Sequence, residues 1–117
     1  MRLNESAFSD ARPVDGYGPG FFRIGGTAHQ GAVLVLPAGV CPWGGYDDLE
    51  ALMRAADSLD VLLVGTGAET AHPPAGFRTA LEAAGVGMEP MSSPAACRTY
   101  NVLLSEGRRV GLALLPV

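Results

Sequence analysis

MEPMSSPAACRTYNVLLSEGRRV, residues 88–110, marks the beginning and the end of one helix. Ser92 or Ser93 can cap its N-terminus, and Pro94 then falls in the first helical turn, where proline is favoured. Glycine suits the left-handed position that follows a helix, so the helix is expected to end before Gly107. Between these signals, apolar residues recur at helical spacing, namely Ala96, Tyr100, Leu103 and Leu104. The sequence therefore predicts a helix that leads into the apolar strand of residues 110–115.

Two more helices and two more strands are expected between this segment and the middle of the chain. Asp47 and Glu50 form a capping box at the start of the first helix. Residues 60–65 are predicted to form a buried strand. A second helix is expected to end at Gly85, before a short strand at residues 86–89.

A β-hairpin is expected closer to the N-terminus. Its first strand spans residues 21–24, and Gly25 and Gly26 supply the positive φ angles of a tight turn. The returning strand is predicted over residues 27–36. Its last five residues are apolar on both faces, which is typical of a strand inside a covered sheet.

This order of elements indicates an α/β fold. Strands separated by helices imply parallel pairing with right-handed crossovers. We expect a single three-layer domain over residues 1–117, with a central mixed β-sheet, an N-terminal β-hairpin and three helices packed on its faces. Residues 1–12 are polar and aperiodic and are expected to be a loosely ordered lead-in.

Composition excludes several classes of function. A net charge of −4 disfavours nucleic-acid binding, which needs a basic face. No uncharged stretch is long enough, without proline and glycine, to suggest a membrane span. The N-terminus lacks a signal-peptide pattern, and two cysteines far apart suit a reducing compartment, so a cytoplasmic protein is expected.

Polar residues near two predicted helix starts suggest a ligand site. The turn of residues 65–67 follows a buried strand, at the end where α/β sheets bind ligands. Its amides and those at the helix start near Ser93 could hold a small anion. Helix capping selects the same residue types, so a purely structural role stays open. The candidate pocket comprises Trp43, Gly65, Thr66, Gly67, Met91, Ser92, Ser93, Thr99, Tyr100 and Asn101.

No catalytic residue, metal site or cofactor is expected. Cys97 would lie in the first turn of a helix, a position that lowers a thiol pKa. Its would-be bases, His29 and His72, belong to a distant strand and a distant loop. Two histidines and two cysteines without close spacing do not predict a metal site.

The arginines near the C-terminus suggest a surface for a protein partner. Arg108 and Arg109 are expected to begin a strand, so their side chains point to opposite faces. One is expected to pair with Glu106 or Glu89, and the other to face a partner, with aromatic residues nearby. The expected partner surface includes Tyr17, Arg98, Arg108 and Arg109.

Several segments together resemble one family, over about residues 10–116. They are Tyr17-Gly18-Pro19-Gly20-Phe21, Val64-Gly65-Thr66-Gly67, Glu89-Pro90-Met91, Arg98-Thr99-Tyr100-Asn101-Val102-Leu103 and Glu106-Gly107-Arg108-Arg109. The chain resembles the small α/β family that contains mitochondrial respiratory complex I assembly factor 3 and many bacterial and archaeal proteins of unknown function. Without a mitochondrial targeting extension, it looks like a bacterial relative.

The resemblance implies a three-layer domain with a mixed sheet and no established enzymatic activity. For mitochondrial members it implies a scaffold or chaperone role in assembling NADH:ubiquinone oxidoreductase. The expected function is therefore a non-enzymatic interaction or assembly role, with complex I subunits or another assembly factor as partners. The alternative is a small-molecule or anion-binding domain, catalytic or not, that uses the turn at residues 65–67 and the helix start near Ser93.

Overall fold

Two β-sheets and three α-helices form in the computed structural model, which describes residues 12–117. An antiparallel sheet contains, in spatial order, β1 (Val14–Gly18), β2 (Phe21–Ile24) and β3 (Thr27–Gln30). A mixed sheet contains, in spatial order, β5 (Gly39–Pro42), β4 (Val33–Leu36), β8 (Val110–Leu114), β6 (Val61–Gly65) and β7 (Gly87–Met91). The helices are α1 (Glu50–Ala55), which continues as one 3-10 turn at Ala56–Ser58, α2 (Ala75–Ala83) and α3 (Ser93–Ser105).

The mixed sheet is covered on both faces, which confirms the predicted three-layer α/β fold. Successive residues of a strand point to opposite faces, and along β6 Leu62 and Leu63 pack in different clusters. The cluster of Leu62 includes residues of α1 and α2. The cluster of Leu63 includes residues of α3 and of the three-stranded sheet. Because both faces are apolar, the central strands are apolar at consecutive positions.

Strand directions in the mixed sheet follow from the connections. β6 pairs in parallel with β7 and with β8, and α2 and α3 form the crossovers. This agrees with the parallel pairing predicted for strands separated by helices. β4 joins the sheet antiparallel to β8 and forms a hairpin with β5.

The N-terminal half differs from the expectation in three places. The hairpin at Gly25 and Gly26 is confirmed, but β1 adds to it and makes a separate sheet. The predicted strand over residues 27–36 is broken at Gly31, which has φ of 78°, so β3 and β4 belong to different sheets. Leu36 does not end the strands of this region, since β5 follows after a two-residue turn. Neither β1 nor β5 was predicted, because the glycines of β1 and the glycine and proline of β5 are typical of turns.

The expected lead-in, residues 1–12, lies outside the described residues except for Arg12.

Helix starts also differ in one case. Ser92 is the N-cap of α3 and its side chain accepts a hydrogen bond from the Ala95 N–H, as predicted. Asp47 does not cap α1, because the N-cap position is occupied by Leu49, which makes no side-chain cap bond. The neighbouring Asp48 instead accepts from the Gly44 N–H at 2.9 Å and so closes the preceding turn. A short polar residue can cap a helix only where the helix begins directly after it.

Candidate functional site

The end of β6 and the start of α3 meet at the junction that the sequence had marked. Ser93 is fully buried and connects three segments there. Its Oγ donates to the Leu115 carbonyl at 2.6 Å and accepts from the Gly67 N–H at 2.9 Å. The Ser93 N–H donates in turn to the Gly67 carbonyl at 2.7 Å. The β6–α3 junction, defined as residues 65–67, 91–93 and 115, is therefore held by a closed set of hydrogen bonds.

Thr66 organises the loop that follows β6. Its N–H donates to the Met91 carbonyl at 2.9 Å. Its hydroxyl accepts from the Ala71 N–H at 3.0 Å and lies within hydrogen-bond distance of two carbonyls, those of Glu69 at 2.7 Å and Met91 at 3.1 Å. One short polar side chain thus replaces the backbone bonds that this loop lacks.

The glycines of the turn are required by close packing and by backbone conformation. A Cβ on Gly65 would lie 2.7 Å from Leu114 Cδ2 and 2.9 Å from Ser93 Cα. Gly67 has φ of 105°, a value that favours glycine. Both residues are buried. They bring the end of β6 against the first turn of α3 and leave no space between them for a ligand atom at Gly65.

The amides at the α3 N-terminus have partners within the chain. A helix N-terminus attracts anions through amides that no intrahelical carbonyl accepts. Here the Ser93 N–H binds Gly67, and the Ala95 and Ala96 N–H groups bind the side chain and the carbonyl of Ser92. Pro94 has no N–H to offer. An anion at this junction would have to replace existing hydrogen bonds.

Tyr100 and Asn101 hold the N-terminal strand against α3. The Tyr100 hydroxyl donates to the Arg12 carbonyl at 3.1 Å, and burial raises the pKa of this side chain to about 12. Asn101 makes two bonds to Val14, accepting from its N–H and donating to its carbonyl, both at 2.9 Å. The amide of Asn101 therefore pairs with β1 as a neighbouring strand would. Thr99 lies half-buried on the same helix.

Trp43 is not brought together with Met91. Its ring packs with those of Tyr46 and Phe77, at centroid distances of 5.5 and 6.0 Å, on the face covered by α1 and α2. The indole N–H donates to the Asp48 carbonyl at 3.1 Å. Met91 packs against the cluster on the opposite face of the sheet. These two residues, which were expected to belong to one pocket, thus lie on different sides of the mixed sheet.

The residues of the expected partner surface have different surroundings. Tyr17 is 44% exposed, and Arg98 and Arg108 are exposed as well. Arg109 is also exposed, but it donates to Asp60 Oδ1 and to the Asp57 carbonyl, both at 3.0 Å. The expected pairing with Glu106 or Glu89 was wrong, and β8 begins at Val110 rather than at the two arginines. Their alternation across a strand therefore does not apply.

The cysteines lie in different environments. Cys97 belongs to α3 and is buried in the core, and this burial raises the pKa of its thiol to about 11. Burial of Cys41 raises the pKa of its thiol, Asp48 raises it further, and Arg54 lowers it. A thiol with a raised pKa is a poor nucleophile at neutral pH. Within residues 12–117, no three histidine, cysteine or acidic side chains gather in a way that could hold a metal ion.

An open groove that the sequence did not predict lies between the β4–β5 hairpin and α1. Its volume is about 350 Å³. We call it the β5 groove, and its lining includes Leu36, Val40, Cys41, Ala51, Arg54 and Ala55. No signal in the sequence predicted it, because the strand β5 that forms one wall was not recognised.

The chain belongs to the family described as a protein of unknown function (DUF498/DUF598), whose model matches residues 14–115. An uncharacterized protein of Rhodobacter capsulatus is 56% identical over 117 residues, which are 100% of this chain and 94% of that protein. The NADH dehydrogenase [ubiquinone] 1 alpha subcomplex assembly factor 3 of Mus musculus is 31% identical over 99% of this chain. The chain spans 66% of the length of that mouse protein.

Solved structures agree with the fold. The crystal structure of an outer membrane protein from Bartonella henselae has a TM-score of 0.85 and 34% identity, and the match covers 94% of this chain and 98% of that one. In the described part of the present chain, none of the helices combines the length and the hydropathy that a membrane crossing requires. The resemblance inferred from the sequence is thus confirmed at the level of family and fold.

Proposed function

We propose that this chain is a non-enzymatic assembly protein that acts by binding other proteins, and that its partners are subunits of respiratory complex I or a second assembly factor. The observation that carries the proposal is the relationship to a protein named as a complex I assembly factor, which extends over 99% of this chain at 31% identity. The region shared with that protein is the whole α/β domain described here.

The state of the β6–α3 junction supports a binding role over catalysis. The functional groups that suggested a ligand site already satisfy one another: Ser93 is paired on both sides, and the Thr66 and Gly67 amides donate within the chain. Cys97 is buried with a raised pKa. A hydrogen-bonded and solvent-poor junction stabilises a fold, whereas an active site needs groups that are free to meet a substrate.

The exposed residues near α3 form the surface that we propose for a partner. Tyr17 and Arg98 are both exposed, and tyrosine and arginine are two of the three residue types enriched at binding hot spots. Val102 is 55% exposed and lies one helical turn from Arg98. Arg109 is less suited to such a role, because its guanidinium is already bonded to Asp60 and Asp57.

The test is affinity capture of the tagged chain, at its native level, from a host that contains complex I. We expect complex I subunits or another assembly protein to be enriched over an untagged strain, and Tyr17→Ser with Arg98→Glu to reduce this enrichment. Glu82→Gln, on the exposed face of α2, serves as the control that should leave capture unchanged. Deletion of the gene should lower the amount of assembled complex I.

Two results would contradict the proposal. One is an unchanged amount of complex I in the deletion strain together with no captured subunit or assembly protein. The other is a metabolite that raises the melting temperature of the purified chain and loses this effect in Gly67→Val, since that result would indicate a ligand site at the β6–α3 junction.

A further inference from the structure

We draw no further inference here: the strongest candidate, the edge of the mixed sheet formed by β5 together with the β5 groove beside it, carries no proposal because nothing in the structure shows what covers it.

Discussion

Ser93→Ala tests the side chain that closes the β6–α3 junction. The substitution removes a buried hydroxyl that donates to the Leu115 carbonyl and accepts from the Gly67 N–H, at 2.6 and 2.9 Å. A buried polar group left without a partner costs about 1–3 kcal/mol. Gly67 is buried, whereas Leu115 is half-buried and its carbonyl can regain water in part. We therefore expect the free energy of unfolding to fall by about 2–4 kcal/mol.

This loss is large for a domain of 117 residues, since the total stability of a domain is about 5–15 kcal/mol. For a domain of this size, a loss of 1 kcal/mol in the free energy of unfolding lowers the melting temperature by about 4 °C. The melting temperature of Ser93→Ala should therefore fall by about 8–16 °C. The assay is urea unfolding followed by the fluorescence of Trp43, the single tryptophan of the sequence. Its packing on the opposite face of the sheet makes it a reporter of global unfolding.

Ser105→Ala is the matched control. Its hydroxyl belongs to the same helix and donates to the Val102 carbonyl at 2.7 Å, but Ser105 is exposed. Because water can replace this hydrogen bond, Ser105→Ala should change the free energy of unfolding by no more than about 0.5 kcal/mol. If Ser93→Ala and Ser105→Ala have the same effect, with unchanged urea dependence, the hydroxyl of Ser93 does not hold the junction as described.

Three other predictions concern close packing at Gly65, the contact of α3 with β1, and the burial of the two thiols. Gly65→Ala should lower the free energy of unfolding by at least about 2 kcal/mol, because the added methyl group would collide with Leu114 and Ser93. The control is Gly76→Ala, in open space on α2, which should raise the free energy of unfolding by about 0.5–1 kcal/mol. Equal effects of the two substitutions would argue against close packing at Gly65. Asn101→Ala should lower the free energy of unfolding by about 1–2 kcal/mol and speed hydrogen exchange of the Val14 N–H. The control, Val102→Ala, should leave the exchange of the Val14 N–H unchanged. Unchanged exchange in Asn101→Ala would contradict the pairing with β1. At pH 8 a thiol reagent should modify Cys41 and spare Cys97, because Cys97 is buried and this burial raises the pKa of its thiol to about 11. Both thiols should react when the chain is unfolded in urea. Modification of both in the native chain would show that Cys97 is accessible.

Local signals in the sequence were sufficient for the C-terminal half of the fold. The cap at Ser92, the helix ends before Gly85 and Gly107, and the apolar strands around them are properties of a few neighbouring residues. Such features depend on backbone conformation and helical periodicity, and these act over one or two turns. The parallel order of β6, β7 and β8 then follows from the helices between them.

Elements stabilised by distant contacts could not be predicted in this way. β1 contains two glycines, and β5 contains one glycine and one proline, so only their pairing with β2 and β4 makes them strands. The capping box at Asp47 failed because the preceding loop is closed by Asp48 and by the packing of Trp43. The β5 groove was therefore not predictable from local sequence, and neither was the strand that forms one of its walls.

The sequence by itself determined the family, the α/β class and the ends of the helices, because these depend on residue types at short and regular spacing. Only the tertiary structure decided which hydrogen-bond partners the polar side chains of segment 88–110 have. Ser93 pairs with residues 22 and 26 positions away, and Asn101 pairs with Val14 across 87 positions. Whether a hydroxyl or an amide is free to bind a ligand depends on the partners that folding brings to it, and here those partners belong to the chain itself.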